Sequence, residues 1–167
     1  MPVNQIAVER WSMVSPKPFA EIVAALDDAL GHPDMREFGT NVMKAGSWQE
    51  LEHVVRAAIG RSGFMEFARF NLGQIIQKEQ GPAAPKILRI VFGNPLIMKQ
   101  MAEHVPDTGS YAPVTVLIDE RADGVHLSYD RMASYLASYG NLAALEVARE
   151  LDLKVEHLLT RAASWPE

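Results

Sequence analysis

The sequence predicts an α+β fold: an antiparallel or mixed sheet covered on one face by helices, with a long C-terminal helix. Three observations carry this expectation. Residues 114–130 read VTVLIDE, RADG, VHLSYD, two alternating runs joined through an Asp-Gly pair, which is a strong local signal for a hairpin. Two more runs rich in β-branched and aromatic residues lie upstream, at 64–72 and 87–92, with helical segments before, between and after them. Beyond Gly140-Asn141, Leu142, Leu145, Ala148, Leu151, Val155, Leu158 and Leu159 form one continuous apolar stripe at helical spacing.

In chain order, residues 5–14 set Ile6, Val8, Arg10 and Ser12 against Ala7, Glu9, Trp11 and Met13, stop before Pro16 and Pro18, and read as a strand. Phe19, Ile22, Val23, Leu26 and Leu30 then recur with helical period as far as Gly31. Residues 32–46 hold two glycines and a proline without a clean period, so they read as loop or a short helical turn. Ser47, followed three residues later by Glu50, is a capping box for a helix whose buried face is Trp48, Leu51, Val54, Val55, Ala58 and Ile59, ending at Gly60. Residues 64–72 alternate Phe64, Glu66, Ala68 and Phe70 with Met65, Phe67, Arg69 and Asn71; a strand is the reading and a helix the alternative. A short helix at 74–79, a GPAAP connector and a nearly continuous β-rich run at 87–92, suited to the middle of a sheet, follow. The pattern over 95–105 is helical, and in the hairpin Asp123-Gly124 is expected to supply positive φ angles. From 131 to 163 the chain reads as helix broken at Gly140-Asn141.

Composition narrows the function classes. At 167 residues the chain fits one domain, 1–167, long enough to bury a core without crosslinks. It has no cysteine, which excludes disulfides, thiolate zinc sites and thiol nucleophiles together. A net charge of −5 with scattered Lys and Arg offers no footprint for a nucleic-acid backbone. No apolar run approaches the roughly 18–20 residues that span a bilayer, so no membrane partner is expected. The opening MPVNQIAVERW lacks the basic and apolar regions of a secretory signal, so the expected location is cytoplasmic.

Few residues carry legible chemistry. Gly93-Asn94-Pro95 is a complete helix opening, since Asn is a favoured N-cap, Pro suits the first helical position and Gly permits the turn. The same free N–H groups can receive an anion, which makes Asn94 a ligand-binding candidate. His126 and Ser128 fall on the face of their strand opposite Leu127 and Tyr129. His126 and Asp130 are the candidate catalytic bases, with Arg69 and Arg89 as a charge clamp. The structural counterpart makes His126 a solvated strand residue, Tyr129 a core aromatic with its hydroxyl bonded, and Asp130 the N-cap of the next helix. Met98, Met101 and His104 recur at three-residue spacing and offer soft ligands for a metal or haem; methionines so spaced are far more often core filler. Glu50 and His53 form an E-x-x-H pair without the second copy and extra glutamates a di-iron site needs.

Gly93-Asn94-Pro95 after a strand, Pro113 before a hairpin and Ser128-Tyr129 at its end, taken in this order, resemble the bacterial family named domain of unknown function 302. The resemblance covers about residues 64–136, with a weaker match at 5–14 and 19–30. It implies a small α+β domain that forms dimers and has no agreed activity. The chain departs from the family pattern where Phe70-Asn71-Leu72 replace an Ile-Asp-His run, and where Ile97-Met98-Lys99 replace a Gly-Thr pair. On this reading residues 32–60 and the helix after Gly140 are additions to the family core.

The expectation is therefore a homodimeric small-molecule-binding or regulatory module of unknown biochemical function. Its ligand, a small organic anion or a partly apolar molecule, would sit near Asn94, Tyr111 and Tyr129. The alternative is a cofactor-independent hydrolase or isomerase, and haem or metal binding comes third. No cofactor is expected. Dimerisation is expected through the sheet, because helices on one face would leave the aromatic strand at 64–70 bare on the other.

Overall fold

The computed structural model describes residue 3 and residues 5–165. Five strands, β1 (Arg10–Ser15), β2 (Met65–Asn71), β3 (Ile87–Gly93), β4 (Val114–Arg121) and β5 (Gly124–Asp130), form one fully antiparallel sheet in the order β1-β5-β4-β3-β2. Around it lie α1 (Phe19–Ala29), α2 (Met35–Lys44), α3 (Trp48–Ala58), α4 (Gly73–Gln80), α5 (Pro95–Ala102), α6 (Met132–Leu136) and α7 (Leu142–Ala163). Short 3-10 turns occupy Pro106–Ser110 and Ala137–Tyr139.

Strand alternation decides where the core sits. Leu88, Ile90 and Phe92 of β3, Val116 and Ile118 of β4, and Leu127 and Tyr129 of β5 are buried on one face. Against them pack Ile22 and Leu26 of α1 and Ala148, Leu151, Val155 and Leu159 of α7. The sheet covered by helices on one side is thus as the sequence implies. The other face is half exposed, and Val14 and Phe70 there keep 45% and 46% of their surface open.

Several local expectations are corrected. The first strand begins at Arg10 rather than near residue 5, because its only partner, β5, ends at Asp130, which pairs with Arg10. The ladder closes with Arg131 N–H donating to Glu9 O, after which no neighbouring strand remains. Residues 35–44, within the stretch read as loop or a short helical turn, are the ten-residue helix α2. Asp34 caps it by accepting from Arg36 and Glu37 N–H at 2.9 and 2.8 Å, and Glu37 and Lys44 complement its dipole. Gly39 has open space around it, so it only weakens this helix, and Pro33 lies outside it.

In β2 the simple alternation fails. A bulge between Glu66 and Ala68 puts Glu66 and Arg69 on one side, while Ala68 and Phe70 stand opposite Val91 and Arg89 on the other. In the hairpin only Gly124 has positive φ, 137°, and among the described residues no residue other than glycine does. Arg121 pairs directly with Gly124, and a Cβ at Gly124 would lie 2.8 Å from Ser15 O, so glycine also lets β1 approach.

Candidate functional site

Two clefts adjoin at Val114, on either side of the segment 109–114. The first has a volume of about 380 Å³ and is walled almost wholly by apolar side chains, among them Phe67, Ile97, Met98, Met101, Pro113 and Leu151. Asn94 stands at its rim with both ends of its amide committed. Oδ1 accepts from Leu96 N–H at 2.9 Å, capping α5, and Nδ2 donates to Gly63 O at 2.9 Å. The cap reading of Gly93-Asn94-Pro95 therefore describes its geometry. Replacing Asn94 by alanine removes both bonds and should cost about 1–2 kcal/mol, read from the urea midpoint; an unchanged midpoint would show the cap to be dispensable.

The second cleft, about 250 Å³, is polar and aromatic. Tyr111 stacks on Tyr135 with ring centroids 4.5 Å apart, and its hydroxyl lies 2.8 Å from that of Tyr139. Arg10 grips Asp130 through two hydrogen bonds of 2.6 and 2.9 Å. That pairing holds the Asp130 carboxyl below the usual carboxylate range. Burial, together with the Asp130 charge, pushes the Tyr135 phenol up, and the bond from Tyr111 pushes Tyr139 up to about 12. Tyr135 and Tyr139 thus stay protonated near neutrality.

Sequence reasoning assembled residues that the fold separates. Tyr111 belongs to the polar cleft and Asn94 to the apolar one. Tyr129 borders the polar cleft but its hydroxyl points into the core, donating to Asp152 Oδ1 at 2.6 Å. Asp130 does not cap α6. The first N–H groups of that helix donate instead to Asp152 of α7, from Met132 at 2.7 Å and Ala133 at 3.0 Å. His126 sits at the other end of β5, its Nε2 2.7 Å from Asp123 Oδ1. Four residue steps along the strand, roughly 13 Å, separate it from Asp130.

The two arginines form no clamp. Arg69 lies on the helix-covered side, bonded to Glu66 and Asp27, and the glutamate bond above all holds its guanidinium firmly protonated. Arg89 is exposed on the opposite side, 5.6 Å over the Phe70 ring. Among the described residues Asp27, His32 and Glu66 bring three potential metal ligands together. Arg69 already supplies the cation there, so the cluster is a salt-bridge network. Met98 and the fully buried Met101 both border the apolar cleft, but His104 is exposed past the end of α5 and lines none of it, so these three do not converge. Glu50 spends its carboxylate on Gly46 N–H at 2.7 Å, while Ser47 accepts from Glu50 N–H at 3.2 Å.

Arg10, Tyr135, Tyr139 and Asp152 escaped sequence reasoning. Tyr135 and Tyr139 are four apart, a spacing that shares a helix face. Asp152 lies four after Ala148 and three before Val155, a charge on the apolar stripe of α7, and that was a usable signal.

A sheet covered on one face by helices, with two clefts adjoining at Val114, makes this an α+β domain. Residues 38–162 match the model of the family described as Domain of unknown function DUF302, and the chain belongs to that family. The match is wider than the 64–136 suggested by motif words. It takes in α3 and nearly all of α7, the segments expected to be additions. The fold is also that of a crystal structure of an uncharacterized conserved DUF302 protein from Bacillus stearothermophilus. The TM-score is 0.63 at 11% identity, covering 92% of this chain and 97% of that one. No curated protein matches in sequence.

Proposed function

We propose that the protein is a cytoplasmic, homodimeric binding or regulatory module that holds a small, partly apolar molecule in the cleft between α5 and segment 109–114. The observation that carries this reading is the cleft itself, about 380 Å³ and apolar, with the polar tyrosine cleft next to it. Binding is favoured over hydrolysis or isomerisation because the candidate bases and arginines point to different places. No helix among the described residues is long and apolar enough to cross a membrane. The half-exposed sheet face, with Val14, Val91, Leu117 and Phe70, supports pairing with a second copy.

The test uses the dye 1-anilinonaphthalene-8-sulfonate as probe. The native protein should bind it saturably, and Met98→Trp, which fills the cleft from its wall, should weaken binding at least tenfold. Equal affinity in the variant would remove the apolar cleft as the site. Light scattering at micromolar concentration should give twice the 18.5 kDa chain mass, and a mass of 18.5 kDa would rule out the dimer.

A further inference from the structure

We propose that a third cleft, the trough between α1 and α7 closed at one end by the turn at 60–63, binds a small organic phosphate. Its floor is made of small side chains, Ala25 and Ala29 from α1 and Ala162 from α7, with Leu158 beside them. These leave a volume of about 400 Å³. Around the floor stand Arg61 from the turn and Lys154, His157 and Arg161 from α7, and no acidic residue lines the trough. In a chain with 21 acidic residues against 16 Lys and Arg, a concavity whose described lining holds two arginines, a lysine and a histidine, with Asp28 on Arg61 as the carboxylate at its edge, is a local inversion of charge.

The geometry suits one compact anion. Lys154, His157 and Arg161 fall at helical spacing along one stripe of α7, and two turns, roughly 10 Å, span them. Asp28 of α1 pairs with Arg61 and holds it at the facing rim. Among the described residues neither Lys154 nor Arg161 makes a salt bridge, so both have donors to give. Arginine and lysine together provide a bidentate fork and a point charge, the combination that recognises phosphate oxygens. The Ser62 hydroxyl is not available, since it donates to Ala29 O at 2.8 Å and accepts from Phe64 N–H at 3.3 Å. The apolar floor fits the organic part of such a molecule. The short basic stripe, on a chain of net charge −5, does not fit a nucleic-acid backbone. The other two clefts lack this character: the apolar one has no charged residue in its wall, and the polar one holds a single basic residue, Arg10, whereas the trough keeps Lys154 and Arg161 beyond the paired Arg61.

Phenyl phosphate titrated into isotopically labelled protein at matched ionic strength tests the proposal. Saturable amide shifts should cluster at 60–63 and 154–161. Lys154→Glu/Arg161→Glu, both at exposed positions, should weaken binding at least tenfold while leaving the melting temperature of the free protein unchanged. Arg36→Glu/Lys44→Glu on α2 carries the same net charge and should bind as the native protein does. Absence of saturable shifts, native affinity in the first variant, or an equal loss in the second would each overturn the assignment.

Discussion

Asp152→Ala is expected to destabilise the fold by about 3–5 kcal/mol, as for a buried charged group removed from its partners. The carboxylate is buried and accepts three hydrogen bonds: Tyr129 O–H and Met132 N–H on Oδ1, and Ala133 N–H on Oδ2. Alanine leaves Tyr129 O–H and Ala133 N–H without an acceptor and Met132 N–H with only its longer bond to the Tyr129 hydroxyl at 3.3 Å, and α6, only five residues long, loses the carboxylate that satisfies its N-terminus. Tyr129→Phe removes one donor to Asp152 and the longer bond that its hydroxyl accepts from Met132 N–H at 3.3 Å, and leaves both α6 amides on Asp152, so it should cost about 1–2 kcal/mol and urea unfolding must rank the two variants in that order. If Asp152→Ala cost no more than Tyr129→Phe, the bonds to α6 would be contributing nothing.

The pH dependence has a definite sign. Burial raises the Asp152 carboxyl above its ordinary value, although Tyr129 and the two amides oppose the rise. The folded protein therefore holds this proton more tightly than the unfolded chain. Asp152's contribution to stability falls as pH rises from the ordinary aspartate value through its raised one. Asp130 runs the other way: its carboxyl is lowered by Arg10, so its contribution is present above the ordinary value and lost as pH falls through the lowered one. In Asp152→Asn the first trend should vanish from the stability profile and the second remain.

Gly31→Ala is the other substitution expected to be severe, at about 3 kcal/mol or more, above the usual cost of overpacking because the added atom meets backbone. Its Cβ would collide with Ala58 O and lie 2.7 Å from Gly60 N, while a Cβ on Gly60 would lie 2.5 Å from Ala29 O. The ends of α1 and α3 thus touch main chain to main chain, and both glycine N–H groups donate to Phe64 O at 2.9 Å. Gly39→Ala is the control, since open space surrounds that glycine inside α2, and it should stabilise by about 1 kcal/mol. Comparable midpoints for the two alanine variants would contradict this account of the crossing.

What the sequence determined by itself is local. The β4-β5 hairpin, the caps at Ser47 and Asn94 and the apolar stripe of α7 were legible because each depends on residues a few positions apart. Helix α2 was read as no more than a short helical turn even though its Asp34 cap was readable, because Gly39 inside it and Pro33 and Gly46 beside it masked the period. Gly31 and Gly60 could be read as helix stops, but not as partners in a backbone crossing.

Tertiary structure alone decided the rest. Arg10 and Asp130 are 120 positions apart, and only the β1-β5 register joins them. The β2 bulge, invisible in an alternating pattern, sent Arg69 to the helix side and left Phe70 beneath Arg89 on the other. Asp152 reaches α6 only because α7 folds back across the core, and Arg61 meets Lys154 and Arg161 only where α7 crosses α1. Periodicity and capping are set by neighbours along the chain, whereas a cleft is set by which faces meet. That depends on register and packing between segments far apart in sequence.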